Sequence, residues 1–141
     1  MTYIHKYILR DLRDYLKICK VKYRIRTDCT FCGASGLANK VFIGLSGYNT
    51  KRRDDINRVY SILFHEIGHI INFRRGKYKK YHSGQFNRYS KKYKRFIALR
   101  AERYTDKIAQ KQMKIVCPTL RYVPGYSHKE DKKFLYNYHN L

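Results

Sequence analysis

Acidic residues are scarce in this chain. Ten Asp and Glu stand against 32 Lys and Arg over 141 residues, a formal charge of +22, and only three of the acids are glutamates: Glu66, Glu102 and Glu130. A surface of that sign attracts polyanions, whether DNA, RNA or an anionic membrane face. Charge alone supplies only non-specific affinity. A codon bias toward Lys, Tyr, Asn and Ile would give the same excess without any such partner. The 14 arginines among the basic residues run against that reading. Long apolar runs are missing too. Met1 to Lys20 interleaves charged and apolar residues, so no signal peptide is expected. No stretch approaches the roughly 20 apolar residues of a membrane span. The expectation is a cytoplasmic protein without membrane contact, in the host cytoplasm if the chain is phage-encoded. Its four cysteines, Cys19, Cys29, Cys32 and Cys117, are then expected to be reduced. Internal repeats and linkers are absent as well, so residues 1–141 read as one domain.

What is present alternates between helical and extended patterns. Thr2 to Cys19 carries Ile4, Ile8, Leu12, Tyr15, Leu16 and Cys19 at helical spacing, with Thr2 as the expected N-cap. Val21 to Arg26 and Ala38 to Leu45 read as strands, and Thr27 to Gly36 between them as a loop. Asp54 to Phe73 is the clearest helix. Ile56, Val59, Leu63, Ile67, Ile70 and Ile71 form its apolar stripe, Asp54 can cap it, Asp55 suits its dipole and Gly76 ends it. A basic loop with interleaved tyrosines follows over 74–95, then a helical pattern from Phe96 to Met113. Residues 117–141 form a C-terminal extension in which Pro118 and Pro124 bracket an extended segment. Ser127 to Glu130 resembles a capping box opening a short last helix.

The chemistry-bearing motif is His65-Glu66-Ile67-Gly68-His69 on the clearest helix. Residues four apart share a face, with Cβ atoms about 5–6 Å from each other, so His65 and His69 can hold one tetrahedral metal ion. Glu66 points beside that pair and can act as general base toward water. Gly68 is expected to leave space beside the metal. A third ligand is needed, and Glu102 is the candidate: Leu99, Ala109 and Met113 share its side of a separate helix, so it faces inward. A buried carboxylate without a partner is costly. Asp106, four residues on, would accept the free N–H of a ligating histidine. The competing reading pairs Glu102 with Arg95 or Arg103. His82 is the rival third ligand.

His65-Glu66-xx-His69 followed by Glu102-xxx-Asp106 resembles the gluzincin pattern of thermolysin-like peptidases. The layout over about residues 20–113 is similar to the small metallopeptidases of the ImmA/IrrE family. The resemblance implies an α+β, zincin-like domain with a small β-sheet, an HExxH active-site helix and a second ligand-bearing helix. It implies Zn2+ held by His65, His69 and Glu102, with Glu66 as the base and Asp106 supporting a ligand. Family members cleave intracellular proteins, including DNA-binding repressors of mobile elements, and many are phage proteins. This chain departs from the family at Tyr104 and Thr105, where a further acidic residue and an alanine usually stand. The metzincin pattern is excluded, because Asn72 and Arg75 occupy the places of its Gly and His.

The expected function is therefore zinc-dependent hydrolysis of peptide bonds in an intracellular protein substrate. The substrate is expected to lie along the strand at Val41 to Leu45. The alternative is a basic nucleic-acid-binding protein with a structural or vestigial zinc. Tyr104, Tyr126, His82 and His128 are the candidates for stabilising an oxyanion. Cys29-Thr30-Phe31-Cys32 has the spacing of half a zinc knuckle and reads as an ordinary turn between strands.

Overall fold

The computed structural model describes residues 1–78 and 88–124, together with 133, 134 and 137. Among these residues, three long helices pack with a small mixed sheet, an α+β arrangement. The first helix, α1, is Lys6–Ile18. It starts later than Thr2 because the preceding residues pair elsewhere. The Tyr3 N–H donates to the Tyr48 carbonyl at 2.9 Å, and the Thr50 N–H donates to the Tyr3 carbonyl at 2.8 Å. Thr2 Oγ1 accepts from the Gly47 N–H instead of capping a helix, and the imidazole of His5 takes the capping role by accepting from the Tyr7 N–H. Leu12 and Leu16, one turn apart, are the fully buried residues of α1.

The strands are β1 (Lys22–Arg26), β2 (Gly33–Ser35) and β3 (Lys40–Gly44), in the order β1-β3-β2. β1 runs parallel to β3 and β2 antiparallel to it. The strand β2 lies inside the segment expected to be a loop. Three residues of Gly-Ala-Ser carry almost no strand propensity, and β2 exists because Ala34 pairs with Val41 of β3. This placement also makes β3 the central strand. A substrate cannot add to an edge at Val41 to Leu45, because both neighbours of β3 are taken.

The second helix, α2, is Arg53–Arg75, and the third, α3, is Lys91–Val116. Asp54 does not cap α2. The N-cap is Arg52, with no side-chain hydrogen bond, and Asp54 and Asp55 occupy the first turn, where their charge favours the dipole. Gly76 at φ 68° closes α2 in the left-handed conformation that glycine adopts most cheaply. The expected basic loop at 74–95 is shorter at both ends: Arg74 and Arg75 belong to α2, and Lys91 to Arg95 form the first turns of α3, capped by Ser90. Those turns have no apolar stripe, so periodicity does not reveal them. The loop's His82 lies outside the described residues, as do Tyr126 and His128 and the capping box.

The core joins all the layers. Val41, Ile43 and Leu45 from the sheet side meet Leu12 and Leu16 of α1 and Val59, Leu63, Phe64, Ile67 and Ile70 of α2, with Ala109 and Met113 of α3 closing the far side. α2 is buried on several faces, which places its histidine-bearing turn between sheet and α3. Among the described residues, no helix is long and apolar enough to cross a membrane.

Candidate metal centre

Three side chains from two helices converge where α2 faces α3. His65 Nε2 lies 2.9 Å from Glu102 Oε2, and His69 Nε2 lies 3.2 Å from Glu102 Oε1. The two imidazole Nε2 atoms are 3.1 Å apart. Two nitrogen lone pairs and a carboxylate at such distances need a cation or a proton between them. A tetrahedral ion with bonds of about 2.0–2.1 Å sets its ligand atoms about 3.3 Å apart; the two Nε2 atoms are close to that spacing, and the carboxylate reaches each ring with a different oxygen. His65, His69 and Glu102 are the only group of that kind among the described residues, and they could hold a metal ion.

The supporting contacts orient both rings. His65 Nδ1 faces Asp106 Oδ1 at 2.9 Å, which directs its Nε2 toward Glu102. His69 Nδ1 lies 3.4 Å from Thr105 Oγ1, and Thr105 in turn accepts from Asn72 Nδ2 at 3.3 Å. From sequence, Thr105 and Asn72 stand out only as departures from the family and metzincin patterns, with no role in orienting a histidine. Asn72 follows His65 by seven residues and shares its helical face, so the spacing held a clue. Tyr122 was also missed: its hydroxyl donates to Asp106 Oδ1.

Burial would lower the pKa of the His65 imidazolium, but hydrogen bonds to Asp106 and Glu102 outweigh it and raise the value to about 10. Burial would raise Glu102, and its hydrogen bonds to His65 and His69 hold it down at about 2. Without metal, the centre therefore carries a proton on His65 between carboxylates. That proton stabilises the metal-free fold fully below pH 6.5, and its contribution is lost as pH rises through about 10. A ligating histidine must be neutral, so metal uptake would release this proton. Affinity is expected to rise about tenfold per pH unit between pH 6 and 8. Dissociation constants measured at both ends of that range check the slope, and a pH-independent value contradicts it.

Glu66 stands beside the convergent atoms and is 5% exposed. Its Oε2 has no hydrogen-bond partner among the described residues. Burial raises its pKa, with His69 and His65 opposing the rise. A carboxylate so placed is a competent proton acceptor. It opens onto a cleft of about 280 Å³ whose walls include Cys32, Tyr48, Arg58, His65 and Val123. A larger apolar groove of about 660 Å³ is lined by none of the metal-centre residues.

Gly68 faces α3 instead of the metal position. A Cβ there would sit 3.0 Å from Thr105 Cγ2 and 3.1 Å from the Thr105 carbonyl oxygen. The missing side chain lets the two helices approach closely enough for Glu102 to reach both histidines. Ala would gain about 1 kcal/mol of helix propensity but would press on buried backbone, an overpacking cost of about 1–3 kcal/mol. Gly68→Ala is expected to lower Tm and weaken metal binding together. Wild-type values of both would remove this role.

Other expected positions fall elsewhere. Tyr104, on α3, accepts from Arg75 Nη1 at 3.3 Å and carries Lys77 over its ring, so it packs against the end of α2 and does not line the cleft. Cys29 Sγ accepts from the Phe31 N–H and Cys32 Sγ from the Gly44 N–H, both as free thiols. Among the described residues, neither belongs to a metal-binding group. Compared with known proteins, the chain matches no family model, no curated protein and no solved structure.

Proposed function

We propose that the protein is a zinc-dependent metallopeptidase of the gluzincin type, similar to the ImmA/IrrE family, acting on a protein substrate. The observation that carries this reading is the convergence of His65 Nε2, His69 Nε2 and a Glu102 oxygen beside the unpartnered carboxylate oxygen of Glu66. Nitrogen and oxygen donors in a tetrahedral set of three suit zinc with one position left open. Held by His65, His69 and Glu102, zinc would polarise the scissile carbonyl and would lower the pKa of an attacking water toward neutrality.

The chain's own residues do the rest. Glu66 takes one proton from the attacking water as its oxygen bonds to the carbonyl carbon, then delivers that proton to the amine nitrogen as the C–N bond breaks. Asp106 and Thr105 hold the two imidazole rings in place. Tyr48 lines the cleft, and burial raises its pKa, so it keeps a proton to donate toward the developing oxyanion. The substrate adds along β2, the edge strand that follows the cleft residue Cys32. The basic surface steers acidic partners toward the protein and supplies non-specific nucleic-acid contact.

The direct test is hydrolysis of an unstructured protein such as casein. Cleavage that a chelator abolishes and that one equivalent of zinc restores is the expected result. Cleavage indifferent to chelation contradicts the proposal.

A further inference from the structure

The segment that follows α3 is fastened along α2 in a regular way. Arg53 Nη2 donates to the Thr119 carbonyl at 3.2 Å, the Arg121 N–H donates to Asn57 Oδ1 at 3.1 Å, and the Val123 N–H donates to Ser61 Oγ at 2.9 Å. The helix partners recur every four residues and the segment partners every two. Past the turn at Thr119 the two spacings match from Arg121 to Val123, since four helical residues rise about 6.0 Å and two extended residues about 6.6 Å. The next helix position in the series is His65. Tyr122, between the last two anchored residues, reaches it: the hydroxyl lies 3.4 Å from His65 Nδ1 and donates to Asp106 Oδ1.

We propose that Tyr122 is a positioning residue of the metal centre, delivered by the fastened segment 119–123 to lock the Asp106 carboxylate against His65. The terminal torsion of an aspartate is broad, so one donor leaves its carboxylate free to swing. Here two donors, Tyr122 and His65, meet on the same oxygen, Oδ1. Tyr122 and Asp106 are both buried, which leaves water little access to replace either bond. A phenol is protonated at neutral pH, so the Tyr122 hydroxyl has a proton to donate. The consequence is a His65 ring whose Nε2 stays aimed at Glu102. Residues of the C-terminal extension thereby become part of the metal centre.

This inference rests on His65 being a metal ligand, so its test reads metal binding and not only turnover. Zinc affinity, by competition with a chelator, and the visible spectrum of the Co(II)-loaded protein are measured for the wild type, Tyr122→Phe, Asp106→Ala and the double variant. Tyr122→Phe is expected to weaken zinc by about 10-fold, the lower end of the range for partners of ligating histidines, and to shift the Co(II) bands. Because Tyr122 acts through Asp106, it should cost nothing further once Asp106 is gone. Ser61→Ala removes one fastening without touching the ligands. It should weaken zinc in the same direction by less, and it serves if Tyr122→Phe does not fold. Wild-type affinity and spectrum in the Tyr122→Phe and Ser61→Ala proteins, or equal losses with and without Asp106, overturn the proposal. A wild type that takes up no metal overturns the metallopeptidase reading itself, a different result from the first.

Discussion

Glu66→Gln is expected to lower peptide hydrolysis by about 10²–10⁴-fold, the usual contribution of a positioned general base, while metal content stays at the wild-type level. Gln keeps the volume and removes the proton acceptor. Glu66 is not among the convergent donors formed by His65, His69 and Glu102, so the metal should remain. The same variant carries a stability signature. Burial raises the pKa of Glu66, so its ionised form is the one the fold disfavours. The metal-free wild type is then relatively more stable below that raised value than above it. A neutral amide escapes this penalty, and metal-free Glu66→Gln should melt at or above the wild-type Tm at neutral pH. Active protein, or a clear loss of Tm with the metal absent, would place Glu66 in the structure and not in the chemistry.

Glu102→Gln is expected to weaken metal binding by more than about 100-fold, since even outer partners of metal-bound histidines are worth 10–100-fold. The amide is nearly isosteric but brings no negative charge. Glu102 lies 2.9 Å from His65 and 3.2 Å from His69, so both neighbours feel the loss. In the metal-free protein, the substitution removes one of the two carboxylates hydrogen-bonded to His65, and the raised pKa of that ring should fall. Titration of the His65 ring by NMR, with and without the substitution, reads this directly. Unchanged metal affinity would return Glu102 to an ordinary ion pair.

The site was legible where its residues are local. His65, Glu66 and His69 lie within one turn, and the helix beneath them is marked by its apolar stripe and by Gly76. Glu102 and Asp106 could be placed because their inward face follows from Leu99, Ala109 and Met113. What stayed hidden depends on contacts made across the chain. Gly68 looked like room for a ligand, and only the approach of α3 gives it a packing role. Tyr122 is one of fifteen tyrosines, and its role appears only once Asn57 and Ser61 fasten its segment to α2. β2 is invisible in Gly33 to Ser35 because its hydrogen bonds are set by β3. The caps were misread for a related reason: Thr2 and Asp54 have capping chemistry, but pairing near Tyr3 and the chain path at Arg52 decide where each helix begins.

Metal content of the wild-type protein, purified without chelators and measured by elemental analysis, tests the proposed metal centre most directly. About one zinc per chain is expected, the occupancy of a single three-ligand site. A chain that holds no transition metal under those conditions would contradict the metallopeptidase reading and leave a basic binding protein with two paired histidines.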